Sequence, residues 1–280
     1  MILELLLDAL LDSVKMLPFL FAAYWLIEYV EHRHSEGIEK ALAGGGRFGF
    51  VPGAVLGLLP QCGFSAMAAN LYASKVVTLG TLLAVFLATS DEALLIANPE
   101  HWRSLALILG IKLAVALAAG FCIDFVFKRL IPQSVRGGYT GSSSAVDCHE
   151  HEERDGILAA ALKHTLHIFL FILLFNIALG ALVALVGEEA IGAFLAASGP
   201  WQPVLAGLVG LIPNSSVLIT QLYAAGQLSL GGVVAGLCTG AGVGLAVLLR
   251  ANKNAKQNLF IVALLYGIGV AAGLVCSLFA

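Results

Sequence analysis

The stretch Gly57-Leu58-Leu59-Pro60-Gln61-Cys62-Gly63 places a proline and small polar residues in the middle of an apolar run. A weaker copy, Gly210-Leu211-Ile212-Pro213-Asn214-Ser215-Ser216, follows about 150 residues later. Both copies continue into Leu-Tyr-Ala and then Leu-Gly, at 71–73 and 79–80 in the first and at 222–224 and 230–231 in the second. Duplicated apolar segments with a breaker inside are typical of transporters built from two repeats, whose binding site lies at the breaks.

The composition excludes an ordinary soluble domain. Hydrophobic residues make up 59% of the chain and charged residues 12%, and the mean hydropathy is +0.93. Apolar runs of about 20 residues, long enough to cross a hydrocarbon core, recur along the chain. The first run carries Asp8 and Asp12 and has no basic start, so we expect no cleavable signal peptide. Five scattered cysteines without a CxxC pair predict no disulfide framework.

The apolar runs fall into two sets with the same plan. In each half we expect three full spans and one proline-broken hairpin made of two half-length pieces. The full spans are predicted at 10–30, 76–97 and 105–127, and at 157–183, 230–249 and 259–278. The hairpins cover about 48–74 and 201–225. Residues 132–155 are predicted to be a flexible linker between a first repeat at 1–131 and a second at 156–280.

Positive charges indicate whether the broken segments cross the membrane or turn back. If they cross, the cations divide seven to five between the two faces, which is no bias. If they turn back, one face carries eleven cations and the other carries Arg103 alone. The eleven are Arg33, Lys40, Arg47, Lys75, Lys128, Arg129, Arg136, Arg154, Arg250, Lys253 and Lys256. The second count follows the positive-inside rule and favours re-entrant hairpins, leaving Lys15, Lys112 and Lys163 inside spans.

The hairpin arrangement predicts an all-α polytopic protein of the cell (inner) membrane, with both termini outside and the linker in the cytoplasm. Three full spans per half make the two repeats inverted relative to each other. The hairpins then enter from opposite faces, and their tips meet near the midplane. Because non-helical backbone at this depth lies in protein or beside a wet cavity, the tips are the natural place for a substrate.

The hairpin tips carry the first candidate ligands. These are Gln61, Cys62 and Ser65 in the first hairpin and Asn214, Ser215, Ser216 and Thr220 in the second. Helix ends at a tip offer free N–H groups with a positive dipole and free carbonyls with a negative one, so the tips alone do not choose the sign of the ion. The alternative is that these side chains only satisfy backbone groups freed by the prolines.

Thr89-Ser90-Asp91-Glu92 supplies the second set of candidates. Adjacent carboxylates deep in an apolar span are costly and usually face a cavity or a partner. We predict that Asp91, Glu92 and Cys62 form a cation or proton site. The second half has Thr239-Gly240-Ala241-Gly242 near this position, so one half carries charge and the other gives room. The alternative places both acids at the membrane interface.

Charged residues near the start of each half are candidates for coupling or gating. They are Asp12, Lys15, Lys163, His164 and His167. The two histidines are three residues apart and share a helical face, which suits metal binding or proton relay. Snorkelling of the lysines to the interface is an equally good interpretation. In the linker, Cys148, His149 and His151 mix thiol and imidazole and form a weaker candidate for metal capture; solvated loop charge is the alternative.

Several of these runs resemble the ten-helix heavy-metal exporter family, whose members are called arsenic efflux proteins or manganese transporters. The resemblance is carried by 12–20, by 57–65, by Thr89–Glu92 and by the stretch from Leu162 to Ser215, and so covers nearly the whole chain. It implies a membrane transporter of a heavy metal.

The residues and the resemblance together predict a secondary transporter that exports a divalent metal such as manganese by alternating access. No nucleotide-binding motif occurs in the sequence, so we expect proton or sodium coupling and no bound cofactor. Carboxylate, amide and hydroxyl oxygens suit hard Mn²⁺, whereas Cys62 suits a softer metal or trivalent arsenic.

Two alternatives stay open at this point. One is a transporter of arsenite or another small anion, in which the acids carry the coupling proton or sodium. The other, more remote, is an intramembrane enzyme that uses Asp91, Glu92 and His164; we expect no enzyme, because no catalytic triad has credible spacing. The expected partners are the lipid bilayer and a small inorganic ion, with a homo-oligomer open. No basic patch points to nucleic acid.

Overall fold

The protein is helical throughout the part that the structure describes. The computed structural model describes residues 14, 17–18, 21–22, 25, 48–59, 62–90, 102–137, 162, 165–166, 169–170, 173–174, 177, 188–212 and 215–279. Within these ranges the one β contact is an isolated bridge between Thr78 and Gly137. The predicted all-α class is therefore confirmed.

The first half contains five described helices. They are α1 (Phe50–Gly57), α2 (Cys62–Ala73), α3 (Leu79–Ala88), α4 (Trp102–Phe121) and the short α5 (Gln133–Arg136). Helix α4 continues through a π-helical turn at Cys122–Val126 and a 3-10 turn at Phe127–Arg129. Residues 132–137, at the start of the predicted linker, hold α5 and the bridge from Gly137 to Thr78; residues 138–155 lie outside the described ranges.

The second half contains six described helices. They are α6 (Glu188–Ala197), α7 (Gln202–Gly210), α8 (Ser215–Ala224), α9 (Leu230–Thr239), α10 (Gly244–Ala251) and α11 (Ala255–Phe279). Three stretches in the described ranges are long and apolar enough to cross a membrane: Arg103–Val126, Leu230–Ala251 and Ala255–Phe279. These agree with three of the predicted spans.

The two proline-containing copies fold into the same succession of helices. Helices α1, α2 and α3 have the same order and similar lengths as α7, α8 and α9. A hydroxyl caps the third helix of each set: Thr78 accepts a hydrogen bond from the Thr81 N–H, and Ser229 accepts one from the Gly232 N–H. The inverted orientation of the halves and the re-entrant path of the hairpins stay predictions.

Two of the predicted spans, 76–97 and 230–249, contain residues that are not helical, and the helices interrupted there are called the broken helices below. Helix α3 ends at Ala88, and Thr89 and Ser90 are not helical. Helix α9 ends at Thr239, and a turn separates it from α10. This turn holds Gly242 at a φ of +55°, which glycine adopts without strain. Helix α6 lies between the predicted span at 157–183 and the predicted hairpin at 201–225, where no helix is predicted.

Helix packing repeats in the two halves and then joins them. Helices α1, α3 and α4 pack against one another, as do α7, α9 and α11. The halves meet where α3 and α4 contact α9 and where α2 packs on α10. One hydrophobic core therefore runs through both halves, and it includes buried residues from Phe50 to Leu265.

Candidate ion site at the broken helices

The first helix of each predicted hairpin, α1 or α7, is called its limb, and it ends against the broken helix of the same half, α3 or α9. A Cβ atom on Gly57 would lie 2.6 Å from the Val85 carbonyl oxygen, near the end of α3. A Cβ atom on Gly210 would lie 2.1 Å from the Gly236 carbonyl oxygen, near the end of α9. Glycine is needed at both positions because the backbones touch. Each hairpin limb therefore stops beside the C-terminal end of a broken helix.

The structure places four of the seven tip residues, Ser65 on α2 and Ser215, Ser216 and Thr220 on α8. Ser65 is fully buried on α2 and lies against Gly244 of α10. Ser215 is 7% exposed, and its Oγ has no hydrogen-bond partner within the described residues. Thr220 donates from Oγ1 to the carbonyls of Ser216 and Val217 in its own helix, at 2.7 and 2.8 Å. The Ser215 hydroxyl therefore makes no hydrogen bond within the described residues, whereas the Thr220 hydroxyl bonds the backbone of its own helix.

Lys112 joins the two broken helices, α3 and α9. Its side chain is fully buried on α4. The ammonium Nζ donates to the Thr89 carbonyl at the end of α3, at 2.5 Å, and to the Leu237 carbonyl in the last turn of α9, at 2.6 Å. A helix C-terminus carries free carbonyls and about half a negative charge. One lysine thus serves two C-termini, one from each half.

The end of α9 supplies two further polar groups beside this lysine. The Cys238 thiol is fully buried, unpaired in any disulfide, and within electrostatic reach of Lys112. Thr239 is fully buried, and its Oγ1 donates to the Gly207 carbonyl of α7 at 2.8 Å. The broken end of α9 is thereby tied to the hairpin limb beside it.

The opposite end of α3 also receives a charge from α4. Asp124 is buried, and its carboxylate accepts from the Thr78 hydroxyl at 2.6 Å and from the Gly80 N–H at 3.1 Å. A carboxylate at a helix N-terminus is stabilised by the free N–H groups and the dipole. Helix α4 therefore presents an anion to the start of α3 and a cation to its end.

The remaining predicted site residues lie outside the described side chains. Asp91, Glu92, Gln61 and Asn214 are among them, as is the side chain of Cys62. So are the coupling candidates Asp12, Lys15, Lys163, His164 and His167 and the linker candidates Cys148, His149 and His151. Among the side chains that are described, no three from His, Cys, Asp and Glu gather as a metal site.

A comparison with known families bears on this arrangement of broken apolar helices. The family model described as "Putative, 10TM heavy-metal exporter" matches residues 1–191. The chain belongs to this family. The match includes the first hairpin and Lys112, while α7 to α11 lie beyond the matched residues. No curated protein and no solved structure matches the chain.

In this member of the exporter family, sequence reasoning missed three central residues. Lys112 lies inside a predicted span, and an intramembrane lysine is by itself a signal of function. Asp124 lies near the end of the predicted span 105–127, where an acid is common. Cys238 lies in an apolar run, and free cysteines are among the most often buried residues. Lys112 can therefore be recognised from the sequence. The roles of Asp124 and Cys238 depend on residues that are near them only in the folded protein.

Proposed function

We propose that this protein is a secondary transporter that exports a divalent metal cation such as Mn²⁺, bound where the two broken helices meet. The observation that carries the proposal is the position of Lys112, which bonds the carbonyls of Thr89 and Leu237 from the two halves. Helices broken at membrane depth, with hairpin limbs ending beside them, are the architecture of ion sites in secondary transporters.

The two predicted acids follow Thr89 closely in the sequence. Asp91 is two residues beyond Thr89, and Glu92 is three residues beyond it. The Thr89 carbonyl accepts a hydrogen bond from Lys112. This closeness in sequence supports the intramembrane alternative for Asp91 and Glu92 over the interfacial one.

The charges in this region favour a divalent cation. Two helix C-termini contribute about −0.5 each, and one lysine ammonium offsets both. The carboxylates of Asp91 and Glu92 then remain to balance two positive charges. Their oxygens, with those of Gln61, Asn214 and Ser215 at the tips, are the ligands that Mn²⁺ prefers. Cys62 and Cys238 would favour a softer metal.

The repeated halves supply a route for alternating access. Each half holds one hairpin and one broken helix, and the packing of α3 on α9 and of α2 on α10 joins the halves. Movement of one repeat against the other, driven by a proton or sodium gradient, would open the site to each face in turn. The charge count supports a cytoplasmic linker and a cytoplasmic face that carries most of the cations.

Metal flux into proteoliposomes tests the proposal. Purified protein is compared with Asp91→Asn and Glu92→Gln, and with the linker variant Asp155→Asn as a control that removes the same charge elsewhere. Under a proton or sodium gradient, Mn²⁺, Zn²⁺ and arsenite are presented in turn. We expect saturable Mn²⁺ flux that both intramembrane variants lose and the control keeps. Undiminished flux in Asp91→Asn would overturn the assignment of the acids, and absence of flux for every metal would overturn the metal assignment.

The buried charge of Lys112 specifically favours one second candidate, the transport of arsenite or another small anion. In that case the ammonium would attract the substrate, and Asp91 and Glu92 would bind the coupling proton or sodium. The same assay separates the two. Arsenite flux that is lost when Lys112 is replaced by Met, with no Mn²⁺ flux in the parent protein, would establish the anion transporter.

A further inference from the structure

A second polar pocket lies away from the broken helices, where the turn between α2 and α3 faces the turn between α10 and α11. The cavity measures about 200 Å³. The lining residues that bear on its chemistry are Tyr72, Lys75, Asn252, Lys253, Asn254 and Gln257. They come from both halves of the chain. The pocket therefore sits on the seam between the halves, at one end of the helices.

The charge of this pocket is positive. Lys75 and Lys253 line it from the two different turns, and no acid is among its described lining residues. Helix α11, 25 residues long, begins at Ala255 directly beside the pocket. Its N-terminus adds about half a positive charge, and Asn254 caps it by accepting from the Gln257 N–H at 3.3 Å. Lysines and a helix N-terminus together attract an oxyanion.

Asn252 adds a hydrogen-bond donor that lacks an acceptor. Its side-chain Oδ1 accepts from the Asn254 N–H at 3.3 Å, and its backbone carbonyl accepts from the Asn258 Nδ2 at 2.8 Å. Its Nδ2 is buried and has no hydrogen-bond partner within the described residues. A buried donor without an acceptor is destabilising, by about 1–3 kcal/mol in typical cases. An anion in the pocket offers the missing acceptor.

We propose that this pocket binds a phosphate group, and that the phosphate belongs to the headgroup of an anionic lipid. The volume exceeds the ~30 Å³ share of a single water severalfold and suits a tetrahedral oxyanion with its first substituent. Lys253 is exposed, so the pocket is open to the surroundings. Lys75 and Lys253 belong to the face that the charge count assigns to the cytoplasm, where anionic lipids attract basic pockets between membrane helices.

A phosphate bound here would hold the two halves together. Beside the pocket, the Gln257 Nε2 of α11 donates to the Tyr72 hydroxyl of α2 at 2.6 Å, and that hydroxyl donates to the Val135 carbonyl of α5. These bonds already join three elements from both sides of the seam. The lipid phosphate, held by Lys75 on one side and by Lys253 and Asn252 on the other, would strengthen the same connection.

Thermal unfolding and native mass spectrometry of the full-length protein in a neutral detergent test this site. Short-chain phosphatidylglycerol, short-chain phosphatidylcholine and inorganic phosphate are titrated separately. The variants are Lys75→Gln, Lys253→Gln and their combination. Lys256→Gln is the matched control, because Lys256 is exposed on the first turn of α11 and does not line the pocket. Asn252→Asp introduces a negative charge with almost no change of shape.

We expect phosphatidylglycerol, and not phosphatidylcholine, to bind and to raise the unfolding temperature of the parent protein and of Lys256→Gln. Each pocket lysine should contribute about 5-fold to affinity and the pair about 30-fold. Asn252→Asp should weaken binding at least as much as either lysine variant. If inorganic phosphate raises the unfolding temperature as much as the lipid does, the pocket binds free phosphate and not a lipid headgroup. Equal binding by the double variant and the Lys256→Gln control would overturn the site.

Discussion

The two halves of the molecule hold equivalent broken helices, α3 and α9, in different electrostatic settings. A Cβ atom on Gly80 would lie 2.4 Å from the Asp124 carboxyl carbon, and one on Gly231 would lie 1.8 Å from the Ser277 Oγ. Asp124 and Ser277 thus occupy matching places beside the starts of α3 and α9. Lys112 lies twelve residues before Asp124, and Leu265 lies twelve residues before Ser277. Lys112 of α4 therefore matches Leu265 of α11. The first half is charged at both places and the second is neutral at both.

The difference shows that the charges of Asp124 and Lys112 beside the broken helices both belong to one helix, α4. Twelve residues of helix α4 span about 18 Å, close to the ~15 Å length of a ten-residue helix such as α3. One helix can therefore neutralise both ends of its broken neighbour. Helix α9 receives no charge from α11 at its start, where Ser229 and Gln202 provide neutral hydrogen bonds. At its end it shares Lys112 with α3, which makes the second half dependent on the first.

Removal of the shared lysine should produce the largest effect. Lys112→Met leaves the carbonyls of Thr89 and Leu237 without their cation, and breaking a buried charged interaction costs about 3–5 kcal/mol. We expect transport in proteoliposomes to fall by at least about 100-fold. The matched control is Leu265→Met, at the equivalent buried position of α11. This volume-conserving change should cost less than about 1.5 kcal/mol and leave most of the flux. Equal loss in both variants would show that the halves do not differ here.

The close approach of each hairpin limb to its broken helix should give the next effect. Gly210→Ala forces a Cβ against the Gly236 carbonyl and the Thr239 hydroxyl, both at 2.1 Å, whereas the nearest atom at Gly57 is 2.6 Å away. Overpacking costs about 1–3 kcal/mol, and we expect the greater loss at Gly210. Thermal unfolding in detergent measures both. Gly110→Ala, where no atom lies within 4 Å of the added Cβ, is the control. It should stabilise the protein by about 0.5–1 kcal/mol. A stabilised Gly210→Ala would contradict the predicted contact.

The caps of the two broken helices should show the charge asymmetry on a smaller scale. Asp124→Asn keeps an acceptor for Thr78 but removes the charge at the start of α3, and should lower the free energy of unfolding by about 1 kcal/mol. Ser277→Ala, at the matching place, removes a hydroxyl that donates to the Gly273 carbonyl of its own helix. We expect a change within about 0.5 kcal/mol. Unfolding of both variants in one detergent checks the pair, and a larger loss at Ser277 would reverse the comparison.

The repeated tyrosines should give the smallest difference. Tyr72→Phe removes the hydroxyl that bonds Val135 and Gln257 across the seam, which should cost about 1 kcal/mol. Tyr223 occupies the same place in the second copy of the motif and is only half-buried. For Tyr223→Phe we expect a change within about 0.5 kcal/mol. Thermal unfolding distinguishes them, and the prediction fails if the second variant is the less stable one.

The sequence was informative where a local signal dictates the structure. Prolines and short apolar lengths predicted pairs of half-length helices at 48–74 and 201–225. The pairs α1–α2 and α7–α8 begin and end within about two residues of these bounds. Thr78 and Ser229 have the side chains that cap helices. The long apolar runs of α4 and α11 needed no tertiary information to be identified as spans.

The breaks at Thr89 and Gly240 were not predicted, because hydropathy continues through them. Leu230–Ala251 has the length and polarity of a single span although α9 ends inside it. Whether a helix continues past Thr239 depends on competing partners such as the Gly207 carbonyl, which comes from a distant segment. The role of Lys112 is equally non-local, since its acceptors lie 23 and 125 residues away along the chain. Periodicity and propensity contain no information on such pairs.

The contact between Ser65 and Gly244 has a consequence for biogenesis. Helix α2 emerges from the ribosome early, but its packing partner α10 is made only after most of the second half. Until α10 has been translated, the face of α2 that packs against it has no packing partner. Final assembly of the first repeat is thus a post-insertion event that requires the C-terminal third of the chain, and truncated nascent chains should remain accessible to membrane quality-control proteases.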